Sequence, residues 1–133
     1  MPQLQNLVLT DRTPVTPVNH TFTPVGINQQ GVGEVAANSG VPVGSKRATV
    51  SVKKTNSRYK GSVRLVLPVL VTETINGVSN PVVARVAYCN MDFSFDEKST
   101  EQERKDAVGM AADALGTGKV LVNDALITLE GIY

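Results

Sequence analysis

The side chains able to do chemistry gather in one window of the chain and share one parity. Between Lys46 and Arg64 there are seven cations (Lys46, Arg47, Lys53, Lys54, Arg58, Lys60, Arg64) and no acid, more than half of the chain's 13 lysines and arginines. Within that window Arg47, Thr49, Ser51 and Lys53 alternate with Ala48, Val50 and Val52. In the next segment Lys60, Ser62 and Arg64 alternate with Val63, Leu65 and Leu67, apart from an offset at Gly61. Farther on, Tyr88 and Asn90 alternate with Cys89 and Met91. Cations answer phosphates, hydroxyls and an amide hydrogen-bond base edges, and a tyrosine ring stacks on an unpaired base. That mixture is what loops and bulges of RNA require of a protein surface. Phosphate contacts would set position, while Tyr88, Asn90, Thr49 and Ser51 would supply selectivity. The weight lies in the shared parity, because a one-residue slip would scatter these groups over both faces. A plainer reading stands beside it: cations on an exposed strand solvate it, and Tyr88 is a surface aromatic.

Other chemistry finds no support. Cys89 is the only cysteine and His20 the only histidine, too few for a structural zinc site or an intrachain disulfide. Cys89 is expected to pack as a small apolar group rather than act as a nucleophile. His20 lies in the polar stretch Asn19-His20-Thr21 and is expected at the surface. Asp96, Glu97, Glu101 and Glu103 flank a helix start, where acids favour the positive end of the dipole. No phosphate-binding glycine motif joins a strand to a helix. The chain is expected to be no enzyme and to need no cofactor or metal.

These groups need strands to hold them, and period-two alternation over residues 47–53, 60–67 and 83–95 predicts three strands with one apolar face. The short turn at Lys54-Thr55-Asn56-Ser57 makes the first two antiparallel neighbours. Before them, Leu4–Thr10, Val18–Thr23 and Gly31–Ala36 read as shorter strands, with Pro14 and Pro17 in the first turn and a break at Asn38-Ser39-Gly40-Val41-Pro42. Between the second and third long strands lies a loop over residues 69–80. Its Asn76-Gly77 tip is a two-residue hairpin signal, so its ends could extend the strands. The loop reads either as a mobile surface segment or as an assembly contact. Ser99 with Gln102 and Thr100 with Glu103 offer two overlapping capping boxes. They precede an amphipathic stripe of Ala107, Val108, Ala111, Ala114 and Leu115, ended by Gly116-Thr117-Gly118. A second short helix is expected from Val120 to Leu126 or a little beyond.

With 133 residues and 41% hydrophobic content the chain is expected to be one α+β domain. No apolar run reaches membrane-spanning length and the N-terminal residues carry no secretory signal, so no membrane partner is expected. The net charge of +1 conceals strong polarity, since the acids gather between Asp92 and Asp106.

Four stretches together resemble the coat proteins of the single-stranded RNA bacteriophages, the levivirus group. They are Ser45–Val52, Arg85–Phe95, Ser99–Arg104 and the terminal Gly131-Ile132-Tyr133; their order, spacing and the chain length make the likeness specific. The resemblance implies an N-terminal hairpin (residues 1–25), a five-stranded antiparallel sheet (30–96) and two C-terminal helices (99–133) that interlock with a second subunit. Such dimers would build a quasi-equivalent, T=3 icosahedral shell around single-stranded RNA, with the polar sheet face lining its interior. The location implied is the virion, after synthesis in the bacterial host cytoplasm.

The resemblance also implies that this face binds an RNA hairpin as translational repressor and packaging signal. The family's RNA-contact motif falls on Arg47, Thr49, Ser51, Lys53, Lys60, Arg64, Tyr88 and Asn90, with Arg58 in the adjoining turn. Gly61 departs from the pattern where family members often carry tyrosine, and Val66 where a polar residue can sit. The loop bracketed by Pro68 and Pro81, with Thr72, Asn76, Gly77 and Pro81 as its assembly residues, resembles the one that meets its copies around the shell's symmetry axes. It carries no cysteine, so those contacts would be non-covalent. Two other readings compete: a dimeric RNA-hairpin-binding protein that does not assemble, and an α+β hydrolase or ligand-binding domain.

Overall fold

The computed structural model describes residues 2–37 and 42–133. Its first compact unit, Met1–Ser94, holds nearly all of the sheet, and its second, Phe95–Tyr133, holds the helices. Six strands run in sequence order: β1 (Leu7–Thr10), β2 (Asn19–Ile27), β3 (Gly33–Ala37), β4 (Lys46–Thr55), β5 (Arg58–Ile75) and β6 (Val78–Asp96). The pairings β1–β2, β2–β3, β3–β4 and β4–β5 are all antiparallel. The expected hairpin and five-stranded sheet are thus one continuous sheet, because β2 is long enough to serve both. Its first half pairs with β1 (Leu7↔Phe22) and its second half with β3 (Thr23↔Ala36), with a register shift between Pro24 and Gly26. The break expected over residues 38–42 falls largely outside the described residues; a short 3-10 turn at Pro42–Gly44 follows it.

The register sets the faces. Opposed residues in an antiparallel pair share a side, so Ala48↔Leu65 and Val35↔Ala48 stack on one face. Phe22, Val35 and Ala48 are buried there, with Leu4, Leu7, Leu9, Ala37 and Leu65 packed around them. Thr49↔Arg64, Ser51↔Ser62 and Lys53↔Lys60 stack on the other.

The loop expected over residues 69–80 is mostly strand. β5 runs to Ile75 and β6 starts at Val78, leaving Asn76-Gly77 as a two-residue turn. Both turn residues take positive φ, 52° and 79°, as the right-handed twist of a tight hairpin demands. Thr74 Oγ1 meets Ser79 Oγ at 3.3 Å near this tip, whereas Ser62 Oγ meets Asp92 Oδ1 at 2.9 Å far from it. The two pairs differ in parity, so one strand holds an extra residue between them. A bulge therefore separates the tip from the polar face.

The loop between β1 and β2 is pinned by Asp11. Its Oδ1 accepts from the backbone N of Thr13 (3.0 Å), the Thr13 hydroxyl (2.7 Å) and the backbone N of Val18 (2.8 Å). Its Oδ2 meets His20 Nε2 at 2.7 Å. These bonds hold its carboxyl far below the usual carboxylate range, the Thr13 hydroxyl contributing most. His20, expected at the surface, is held there by Asp11. It is half-buried, and the Leu9↔His20 pairing brings it beside Asp11.

Helix α1 (Glu101–Ala114) starts on one capping box, not two. Thr100 is the N-cap: its Oγ1 accepts from Glu103 N, and Glu103 Oε2 accepts from Thr100 N. The second box fails because its members are engaged elsewhere. The Ser99 hydroxyl donates to the Asp96 carbonyl and Gln102 Nε2 donates to Asp106. Helix α2 spans Val120–Thr128 and ends on Leu129 in the left-handed region. Neither helix has a buried residue.

Candidate nucleic-acid interface

The polar face is built by pairing β4 against β5. Lys53 lies opposite Lys60, Ser51 opposite Ser62, and Thr49 opposite Arg64, while Arg47 faces Val66. The first three of these rows each set a cation or hydroxyl beside another, giving donors at intervals along both strands. Strand alternation from Arg64 through Lys60 places Arg58 on the same face. There its Nε donates to Ser94 Oγ at 2.8 Å and its Nη2 to the Ser94 carbonyl at 3.3 Å. Among the described residues no acid pairs with Lys53, Lys60 or Arg64, so their charge is available to a ligand.

Strand β6 joins this face through the Ser62–Asp92 hydrogen bond. Asn90 and Tyr88 precede Asp92 by two and four residues on the same strand, and Tyr88 is 68% exposed. An aromatic ring this open can stack on a base without displacing protein. Asn90 is also exposed, so its amide can both donate to and accept from a base edge. The β4–β5 register thus brings Arg47, Thr49, Ser51, Lys53, Arg58, Lys60 and Arg64 onto one face, and the neighbouring strand β6 carries Tyr88 and Asn90. Thr72, Asn76, Gly77 and Pro81 stand apart from them, all exposed, toward the tip of the β5–β6 hairpin.

Two of the seven cations in the basic window leave the polar face. Lys46 and Lys54 share the parity of Ala48, and the Lys54 ammonium lies 5.7 Å from the Tyr59 ring centroid. Two carboxylates that composition alone does not place there join it instead. Glu34 sits opposite Thr49, with its Oε1 4.0 Å from Arg47 Nε, and Asp92 is held by Ser62. The signal for Asp92 was its shared parity with Tyr88 and Asn90. For Glu34 no signal existed before the β3–β4 register was known.

The reverse face is unfinished. Cys89, expected to be buried, is exposed, as are Val50 and Val52. On the helices Val108, Met110, Leu115, Val120, Leu121, Leu126 and Ile127 are likewise exposed.

The family model described as levivirus coat protein matches residues 2–133. The capsid protein of Pseudomonas phage PRR1 is 49% identical over 132 residues, covering 98% of this chain and 99% of the relative. Among solved structures, the virus-like particle of bacteriophage NT-214 superposes with a TM-score of 0.85 at 27% identity, over 99% of this chain and 100% of that one. The capsid protein of bacteriophage GA follows at 0.81, also 27% identical, over 98% of both chains.

Proposed function

The chain belongs to the levivirus coat protein family and is a structural capsid protein rather than an enzyme, and from that premise we propose that it dimerises, assembles a closed icosahedral shell, and binds RNA on its polar sheet face. The observation that carries the RNA reading is the β4–β5 register. It stacks Lys53 on Lys60 and Thr49 on Arg64 on the face opposite Phe22, Val35 and Ala48. Phosphates would meet Lys53, Lys60, Arg64 and Arg47, while Thr49, Ser51, Tyr88 and Asn90 would select the bases. Binding of an RNA hairpin there would repress translation and mark the RNA for packaging, with Arg58 at the margin of the site.

The unfinished apolar surfaces support dimerisation. Burying an exposed valine, leucine or isoleucine is worth about 1.5–3 kcal/mol, and α2 alone presents Val120, Leu121, Leu126 and Ile127 to solvent. A second copy supplies the complementary unfinished surface, so helices of one subunit covering the sheet of the other would satisfy both. Folding and association are then one equilibrium.

Assembly rests on the relatives' capsids and on the hairpin around Thr72, Asn76, Gly77 and Pro81, which projects beyond the RNA-binding rows. The chain would be made in the host cytoplasm and end in the virion. Expression in bacteria is expected to yield uniform particles holding nuclease-protected RNA, seen by electron microscopy with sequencing of the contents. Free dimers that bind an RNA hairpin but never form particles would favour the non-assembling reading. Particles without RNA would sink the assignment of the polar face.

A further inference from the structure

We propose that Asn76 is a self-modification site, where the Gly77 backbone nitrogen displaces the side-chain amide and leaves aspartate or isoaspartate at the hairpin tip. Three observations favour this residue. It forms the two-residue turn with Gly77, and both are exposed. Its side-chain amide has no hydrogen-bond partner among the described residues, so nothing holds it away from its own backbone. Its successor has no Cβ to shield the attacking nitrogen, and the space around Gly77 is open to 4 Å.

The step balances without an oxidant or reductant. The Gly77 amide gives its proton to solvent base, and its nitrogen attacks Cγ of Asn76. The N–Cγ bond forms, the Cγ–Nδ2 bond breaks, and Nδ2 leaves as ammonia after taking a proton from water. The resulting five-membered imide then adds water. Opening at Cγ returns the normal backbone with an aspartate; opening at the main-chain carbonyl routes the backbone through the side chain as isoaspartate.

The protein carries its own comparison. Asn56 also begins a two-residue turn at positive φ, 54°, and is exposed. It is followed by Ser57, whose Cβ crowds the nucleophile. Asn76 should therefore react first.

The consequence rests on the assembly role proposed for this hairpin. Between Val69 and Ala84 the only charged side chain is Glu73. One new carboxylate at the tip doubles the negative charge there, and copies meeting around a symmetry axis would repel one another.

The test is to age the purified full-length protein at mildly alkaline pH and follow the peptides containing Asn76 and Asn56 by mass spectrometry, with enzymatic isoaspartate detection. Ammonia loss several-fold faster at Asn76 is expected. An unmodified Asn76, or equal or faster loss at Asn56, overturns the proposal. Asn76→Gln, which would have to close a larger ring, should abolish isoaspartate in that peptide; a persistent signal overturns it too. Assembly of Asn76→Asp is read separately by electron microscopy across salt concentrations. Unimpaired particles at low salt would remove the tip from assembly while leaving the chemistry at Asn76 untouched.

Discussion

The Ser62 hydroxyl donates a 2.9 Å hydrogen bond to Asp92 Oδ1, setting a carboxylate into a face otherwise dominated by cations. Glu34 does the same on another row, 4.0 Å from Arg47. Neither acid welcomes a phosphate, and Glu34 lies in the row of Thr49 and Arg64, so in the proposed interface the row of Lys53 and Lys60 would be the favoured path for a backbone. Tyr88 and Asn90, on the strand that carries Asp92, would be left for bases in that interface.

Replacing Tyr88 or Asn90 with alanine should therefore weaken hairpin RNA binding by about 1–3 kcal/mol, the range for a lost stack or bidentate base contact. Both side chains are exposed, so the fold should not suffer. Filter binding beside circular dichroism checks this. Unchanged affinity in both variants would remove β6 from the interface.

Lys53 should act differently, because an unpaired ammonium reads charge rather than sequence. Lys53→Ala should weaken binding of all RNA hairpins to a similar degree. It should also flatten the logarithmic dependence of affinity on salt by roughly 0.7–0.9 of a unit if one phosphate contact is lost. A salt titration of wild type and variant decides it; parallel slopes would place Lys53 outside the phosphate path.

The polar face was legible in the sequence because β4 and the start of β5 alternate strictly, and a regular strand cannot present Thr49 and Ala48 on one side. The turn at Asn76-Gly77 was legible for a similar reason, since few residue pairs tolerate two successive positive φ values. The full reach of β5 was not. From Leu67 to Val71 the residues are apolar without alternation, so no local pattern marks them as strand. The bulge between Ser79 and Asp92 is equally silent, because an extra residue is visible only against its partner strand. Asp11 and His20 are nine residues apart and meet only once the β1–β2 register is set. Cys89 was misjudged for a different reason: alternation with apolar neighbours predicts packing, yet the residue is exposed.

Asp11 gives a prediction in acid. Its folded pKa is depressed by the Thr13 hydroxyl, by the Val18 and Thr13 backbone amides and by His20. The stability this contributes is present above the unfolded carboxylate value of about 3.9 and is lost as pH falls from there toward the folded value. Asp11→Asn keeps the shape but has no charge to lose. Between pH 5 and 2, roughly the window this linkage spans, the variant should lose less stability than wild type in denaturant titrations at fixed protein concentration. Parallel loss in both would show that the Asp11 cluster holds nothing against acid.

The start of α1 separates two capping boxes that the sequence offers with equal force. In the structure Thr100 and Glu103 exchange both bonds, whereas Gln102 reaches forward to Asp106. Thr100→Ala removes an acceptor from the Glu103 amide at the helix start and should cost about 1 kcal/mol, within the range of about 0.5–2 for a lost cap. Thr100→Ser keeps an oxygen on Cβ and should recover most of it. Gln102→Ala breaks only an exposed side-chain pair and should change stability by no more than about 0.5 kcal/mol, the usual bound for surface substitutions. Because α1 lies outside the sheet rows proposed to bind RNA, hairpin affinity should stay constant in all three. Chemical denaturation at one protein concentration measures the ranking. If Gln102→Ala proved as costly as Thr100→Ala, the helix would begin one residue earlier, on Ser99.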